Sequence, residues 1–296
     1  IFDDAVFRLY GKEHKPKMAP IIQLKPILGD KADGLFGIQE LVGKAIIIDY
    51  ENEKIGFVNQ LSAADTEGFV PVDIEITSNR IYLPVAVSID DNITITGKAM
   101  MDLGSGGSIS LSAAVANRYK LSTIKEKFGV TYEQGGIGGK SSSWKFRAKK
   151  STIASFDIND LVLGYSTDSS GALSGKNDHI GLIGNQVWER FYVIIDLKGK
   201  KLYLKPNSSF NKESFFNTLG FAFTDRSKTL GCWVVNGLYH GSGAEKAGLK
   251  GGDRIVEFNG KDVKSLSEVE QEDLYKVKST VNLKVKRGTN SVVISF

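Results

Sequence analysis

Apolar and polar residues alternate with a period of two along much of this chain, the pattern of strands with one buried face. The alternation predicts strands at about 70–77, 81–89 and 92–102. It returns in "SSWKF" (142–146) and in the final run "STVNLKVKRGTNSVVISF" (279–296). Helical spacing is confined to short stretches: Ser112 to Tyr119, a turn at Ala244 to Ala247, and a segment at about 266–275. The chain therefore reads as mainly β.

The pattern also repeats. "GLFGIQELVGKAIIIDYENEKIGFVN" (34–59) lies over "GLIGNQVWERFYVIIDLKGKKLYLKP" (181–206) without a gap, at a constant offset of 147 residues from Gly34 to Gly181 and from Asp49 to Asp196. Leu35/Leu182, Gly37/Gly184, Gln39/Gln186, Ile47/Ile194, Ile48/Ile195 and Lys54/Lys201 are identical pairs. Each copy predicts an apolar-apolar-Gly turn, a short helical segment, and two strands joined by a polar turn at Tyr50 to Lys54 or Leu197 to Lys201. Upstream, Phe7-Arg8 corresponds to Phe146-Arg147. The second copy continues back through three strands and a helix, so the chain holds one complete repeat and the back half of another. The polar stretch "KPNSSFNKES" (205–214) resembles a linker, and the pattern changes after it. These boundaries give a half-lobe at 1–62, a complete lobe at 63–207 and a separate small domain at 213–296.

Composition narrows the function. The 296 residues are 41% hydrophobic and 10% aromatic, enough for sizeable cores. The net charge is only +4, with no basic block, which argues against a nucleic-acid partner. The single cysteine, Cys232, cannot form an intramolecular disulfide, and His14, His179 and His240 lie too far apart to suggest a metal site. No run of about eighteen apolar residues is present to span a membrane. No signal peptide is visible at Ile1.

Candidate chemistry centres on "GKAMMDLGSGGSISLS" (97–112). Asp102 ends an apolar run and directly precedes a Gly/Ser loop. A partly buried acid there needs hydrogen bonds or a shared charge. Gly104 lets backbone N–H groups approach the carboxylate, and the small Ser105 can add a hydrogen bond. Two such carboxylates facing each other share one proton, so one serves as base and the other as acid. The other reading of Asp102 is a cap for a turn or for the following helix. "QGGIGGKS" (134–141) misses the phosphate-loop pattern at Gln134 and runs into a strand rather than a helix.

Asp-x-Gly-Ser/Thr-Gly after an apolar strand, followed by "GGIGG" (135–139) and then "GLIGNQVWERFYVIIDLKGKKLYL", resembles the retropepsin-like aspartic peptidases, in particular the bacterial type with two lobes and a C-terminal PDZ domain. The resemblance implies pepsin-like β-barrel lobes and no cofactor or metal. It implies that Asp102 is a catalytic aspartate, that Gly136, Ile137 and Gly138 close over a bound peptide, and that Leu182, Ile183 and Gly184 support the Asp102 loop. "GSGAEKAGLKGGDRIVEFNG" (241–260) is similar to bacterial PDZ domains, and Leu219, Gly220 and Phe221 correspond to the loop whose N–H groups receive a peptide C-terminus. An exported location, periplasmic or cell-surface, is implied as well.

Two positions depart from the family pattern. Leu103 replaces a Thr or Ser whose hydroxyl bonds to the facing loop. The second aspartate is missing, since "ADTEG" (64–68) and "TDSSG" (167–171) follow no apolar strand and read as loops. The expected function is an aspartic endopeptidase whose second carboxylate comes from an upstream half-lobe or another copy of the chain. In the first case an Asp-Thr-Gly or Asp-Ser-Gly is expected about fifty residues before Ile1. The alternative is a peptide-binding protein whose peptidase fold has lost activity.

Overall fold

In the computed structural model, which describes residues 6–9, 11–16, 20–136, 138–176, 178–277 and 279–296, the predicted alternation becomes a hairpin. Along Arg80–Ser88 buried and more exposed residues alternate almost without fault. Its partner Thr94–Met101 begins the same way but ends in three consecutive buried residues, Ala99, Met100 and Met101. Strands flank it on both edges there: Arg80–Ser88 antiparallel, and Gly181–Ile183 parallel in the register Gly181↔Ala99 to Ile183↔Met101. Gly181–Ile183 also pairs antiparallel with Ile109–Leu111. The apolar run before Asp102 is thus a central strand.

The repeat forms a sheet of its own, in the order Lys54–Val58, Ala45–Asp49, Phe191–Asp196, Lys201–Pro206, Val70–Asp73. At its centre the two copies pair antiparallel, with Ile47 opposite Ile194 and Asp49 opposite Tyr192. Ile47 and Ile194 are equivalent under the offset, so a local two-fold axis passes between them. Side chains of both copies, from Leu41 and Ile46 to Leu202 and Leu204, enter one hydrophobic core.

Symmetry fails at the turn before these strands. Leu182 and Ile183 are 8% and 0% exposed inside the Gly181–Ile183 strand, whereas their counterparts Leu35 and Phe36 are 55% and 45% exposed. Residues 34–37 form no strand.

The 205–214 stretch, linker-like in sequence, is not free. Arg190, 4% exposed, donates from Nε to Gln186 O (3.0 Å) and from Nη1 to Phe210 O (2.8 Å) and Lys212 O (2.7 Å). Phe210 lies edge-on to Phe191 and Phe156. A buried guanidinium needs acceptors, and this segment's carbonyls provide them. Arg190→Met keeps the side chain's bulk and loses these charge-assisted bonds, so urea unfolding is expected to show about 3 kcal/mol lower stability.

A second core spans Leu219 to Ile294. The hairpin Phe221–Arg226/Cys232–Tyr239 packs with Arg254–Phe258, Asn282–Arg287 and Asn290–Ser295. The helix Glu268–Leu274 opens on a capping box between Ser267 and Glu270. The two cores share a sheet, because Lys127–Tyr132 pairs with Cys232–Tyr239 from Val130↔Tyr239 to Tyr132↔Gly237.

Candidate functional site

Asp102 is held by its backbone first. Its N–H donates to Ile183 O (2.9 Å), extending the parallel pairing by one residue. The same carbonyl accepts from Trp188 Nε1 (2.9 Å), a fully buried side chain. The carboxylate Oδ1 accepts from Gly104 N–H (3.0 Å). A Cβ on Gly104 would sit 3.2 Å from that oxygen, so glycine leaves the carboxylate room. The Ser105 hydroxyl accepts from Gly107 N–H (3.3 Å), so it braces the loop.

The facing turn closes the loop from the other side. Gly184, Asn185 and Gln186 N–H groups donate to Ser108 O (2.7 Å), Ser105 O (2.8 Å) and Gly107 O (3.1 Å). A Cβ on Gly184 would lie 2.4 Å from Gly107 O and 2.8 Å from Ser105 O. Only glycine allows this approach.

Asn185 and Tyr50 escaped the sequence reading. Asn185 Nδ2 donates to Leu103 O (2.7 Å), and its Oδ1 accepts from Tyr50 OH (2.8 Å). Burial, with the nearby Glu189 charge, pushes the Tyr50 pKa well above its usual value, so it stays a donor. Leu103 has no hydroxyl, yet its carbonyl is tied to the facing turn and, through Tyr50, to the first copy of the repeat. The only sequence signal for Asn185 was its position directly after Gly184.

Asp102, Gly104, Ser105 and Leu182–Gly184 thus form one hydrogen-bonded unit. Gly136 and Gly138 lie on a separate hairpin between Lys127–Tyr132 and Ser141–Arg147; Ile137 lies outside the described residues. That hairpin is tied to the C-terminal domain: Glu133 N–H donates to Asn236 O (2.7 Å) and Gln134 N–H to Asn236 Oδ1 (2.9 Å). The carboxylates of the two look-alike segments accept backbone N–H bonds, Asp65 within its own turn and Asp168 from the Ser141–Arg147 strand. Asp65 accepts from Ser62 N–H (2.7 Å), and Asp168 from Ser142 N–H (2.9 Å).

In the C-terminal domain Leu219 and Phe221 are buried, and Gly220 has φ +75°. A Cβ on Gly220 would meet Ser242 Cβ at 2.5 Å. Asn217 bridges this loop, accepting from Leu219 N–H (2.9 Å) and donating to Phe221 O (2.7 Å). The Phe221–Arg226 strand pairs on one edge with Cys232–Tyr239, and the Glu268–Leu274 helix lies beside it, with Gln271 Nε2 donating to Asp225 Oδ2 (3.3 Å).

Among the described residues no group of three or more His, Cys, Asp or Glu side chains could hold a metal ion, and no helix is long and apolar enough to cross a membrane. Residues 217–295 match the PDZ domain family. The chain is thus mainly β and carries a PDZ domain, a class of module that binds peptides or protein C-termini. No curated protein matches the chain. Among solved structures, an aspartic proteinase from Irpex lacteus is 13% identical, with 58% of each chain covered and a TM-score of 0.31.

Proposed function

We propose that this chain is part of a two-lobed aspartic endopeptidase in which Asp102 supplies one of two facing carboxylates and the PDZ domain binds peptide C-termini. The observation that carries this reading is the two-fold axis between Ile47 and Ile194. It relates the turn that braces the Asp102 loop, Leu182–Gly184, to Leu35–Gly37. Around the first turn stand the Asp102 strand and loop, while the second leaves Leu35 and Phe36 exposed. Two large apolar side chains outside any sheet are the face that a second Asp-bearing strand and loop would cover. By the order of the repeat, this reading puts that half-site ahead of the back half-lobe at 1–62. It completes the first lobe, and a second copy of the present chain would bring a surplus half-lobe with its Asp102.

The chemistry follows from charge. Two carboxylates in contact cannot both ionise, so they hold one proton between them. The ionised partner takes a proton from water, which attacks the peptide carbonyl, while the protonated partner donates to the carbonyl oxygen. A rigid loop keeps that geometry, and here the Asn185 bond to Leu103 O does what a hydroxyl at position 103 does in the family pattern.

The reading is tested by assaying peptide cleavage at acid pH with the present chain and with one extended upstream. The extended chain is expected to cleave and the present one not. Equal activity of the two overturns the two-lobe reading. For the PDZ groove, a peptide with a free C-terminus is expected to bind roughly tenfold tighter than its amide in titration calorimetry, because the amide loses charge-assisted bonds to the Leu219–Phe221 loop. Equal binding refutes that assignment.

A further inference from the structure

The far end of the open edge of the Phe221–Arg226 strand, from Phe223 to Arg226, is already met by the chain's own N-terminal part. Thr224 Oγ1 donates to Pro26 O (3.1 Å), and Asp30 N–H donates to Asp225 O (2.9 Å), a backbone bond of the kind an added strand makes. The Asp30 side chain is 3% exposed and accepts from Arg226 Nε (2.9 Å) and Thr229 N–H (2.8 Å). Burial by itself raises its pKa, but the bonds from Thr229 and Arg226 prevail and hold the carboxyl below the ordinary range. Lys31 reaches across to the helix and pairs with Glu268 at 2.9 Å. Residues 24–31 therefore touch both walls of the groove. Ile27 and Leu28 border a cavity of about 270 Å³ whose other lining includes Phe223, Glu272 and Tyr275.

A peptide whose terminal carboxylate sits at Leu219–Phe221 runs antiparallel to this strand. Its residue four places before the terminus then lies at Asp225, where Asp30 now bonds. At the other end Asn217 bridges Leu219 N–H and Phe221 O, the groups a terminal residue would use. Asp225, Arg226, Glu268 and Glu272 put charges of both signs at the far end of the groove, and the internal segment answers Arg226 with Asp30 and Glu268 with Lys31.

We propose that residues 24–31 are the resident occupant of the PDZ groove, and that a peptide with a free apolar C-terminus displaces them. This rests on the PDZ groove being a peptide site. Internal occupancy lowers apparent affinity by the fraction of time the groove is open.

The test uses the whole chain and fluorescein-labelled Gly-Lys-Ser-Thr-Val-Leu with a free carboxylate, read by anisotropy. Asp30→Ala removes the segment's buried anchor. Gly29→Ala acts independently, since Gly29 has φ +72° and an added Cβ would sit 2.6 Å from Asp225 O. Both variants are expected to bind the peptide about tenfold tighter than the unchanged chain. Peptide added to the unchanged chain is expected to speed amide exchange in residues 24–31. Unchanged affinity in both variants, or binding with residues 24–31 still protected, overturns the occupancy while leaving the groove a peptide site. Absence of binding by every variant overturns the occupancy together with the groove assignment.

Discussion

Asp102→Asn in the chain extended upstream is expected to lower peptide cleavage by about a thousandfold, the scale of losing a positioned acid–base group. The substitution is nearly isosteric, and Asn keeps an oxygen to accept the Gly104 N–H bond that now ends on Oδ1. Asp102 N–H still donates to Ile183 O, so the loop stays in place. What disappears is ionisation. An amide can neither share a proton with a facing carboxylate nor take one from water. Thermal unfolding should therefore be nearly unchanged while activity vanishes. Under the proposed function, the unmodified extended chain should show an acid optimum bounded by the two macroscopic pKa values of the pair. Retained activity in Asp102→Asn would remove Asp102 from the chemistry.

Trp188→Ala is expected to cost about 4 kcal/mol of stability, in the range for emptying the space of a fully buried large aromatic. Trp188 is 0% exposed, and its indole N–H holds Ile183 O, the carbonyl that also accepts from Asp102 N–H. Two effects are superposed, and Trp188→Phe separates them. It keeps most of the ring packing and loses the donor, so it should cost less, about 1 kcal/mol for the bond plus a small cavity. Urea unfolding gives the stabilities, and amide exchange at Asp102 and Gly104 reports the loop. Faster exchange at Asp102 in Trp188→Phe than in the unchanged chain is the expected local result. An unchanged urea midpoint for Trp188→Ala would contradict the burial on which the argument rests.

The gapless offset between residues 34–59 and 181–206 could be read from letters alone because both copies meet the same physical demand: an apolar strand whose alternate residues face one core. Its consequence, Ile47 opposite Ile194, follows once equivalent strands pair about a two-fold axis. Arg80–Ser88 was legible for the same reason, since period-two alternation is a local property of a half-buried strand. Asp102 stood out because an acid between an apolar run and a Gly/Ser loop is costly unless something holds it, and its place at the end of a central strand was legible from the apolar run.

Asn185 and Asp30 were not legible. Each makes its decisive bond to a group that only folding brings near: Leu103 O across 82 residues for Asn185, Tyr50 across 135, and Thr229 across 199 for Asp30. A short polar side chain looks the same in sequence whether it faces water or a buried carbonyl. The 205–214 stretch precedes the PDZ match, and its polar composition gave no sign that its carbonyls are the acceptors a buried Arg190 requires. Sequence by itself determined what local periodicity, repetition and an expensive charge can encode: a mainly β chain, a duplicated strand pair, and one acid set in a glycine loop. Tertiary structure alone decided which distant polar groups satisfy one another and that residues 24–31 lie on the PDZ strand edge, because those contacts depend on elements meeting in space and leave no periodic trace along the chain.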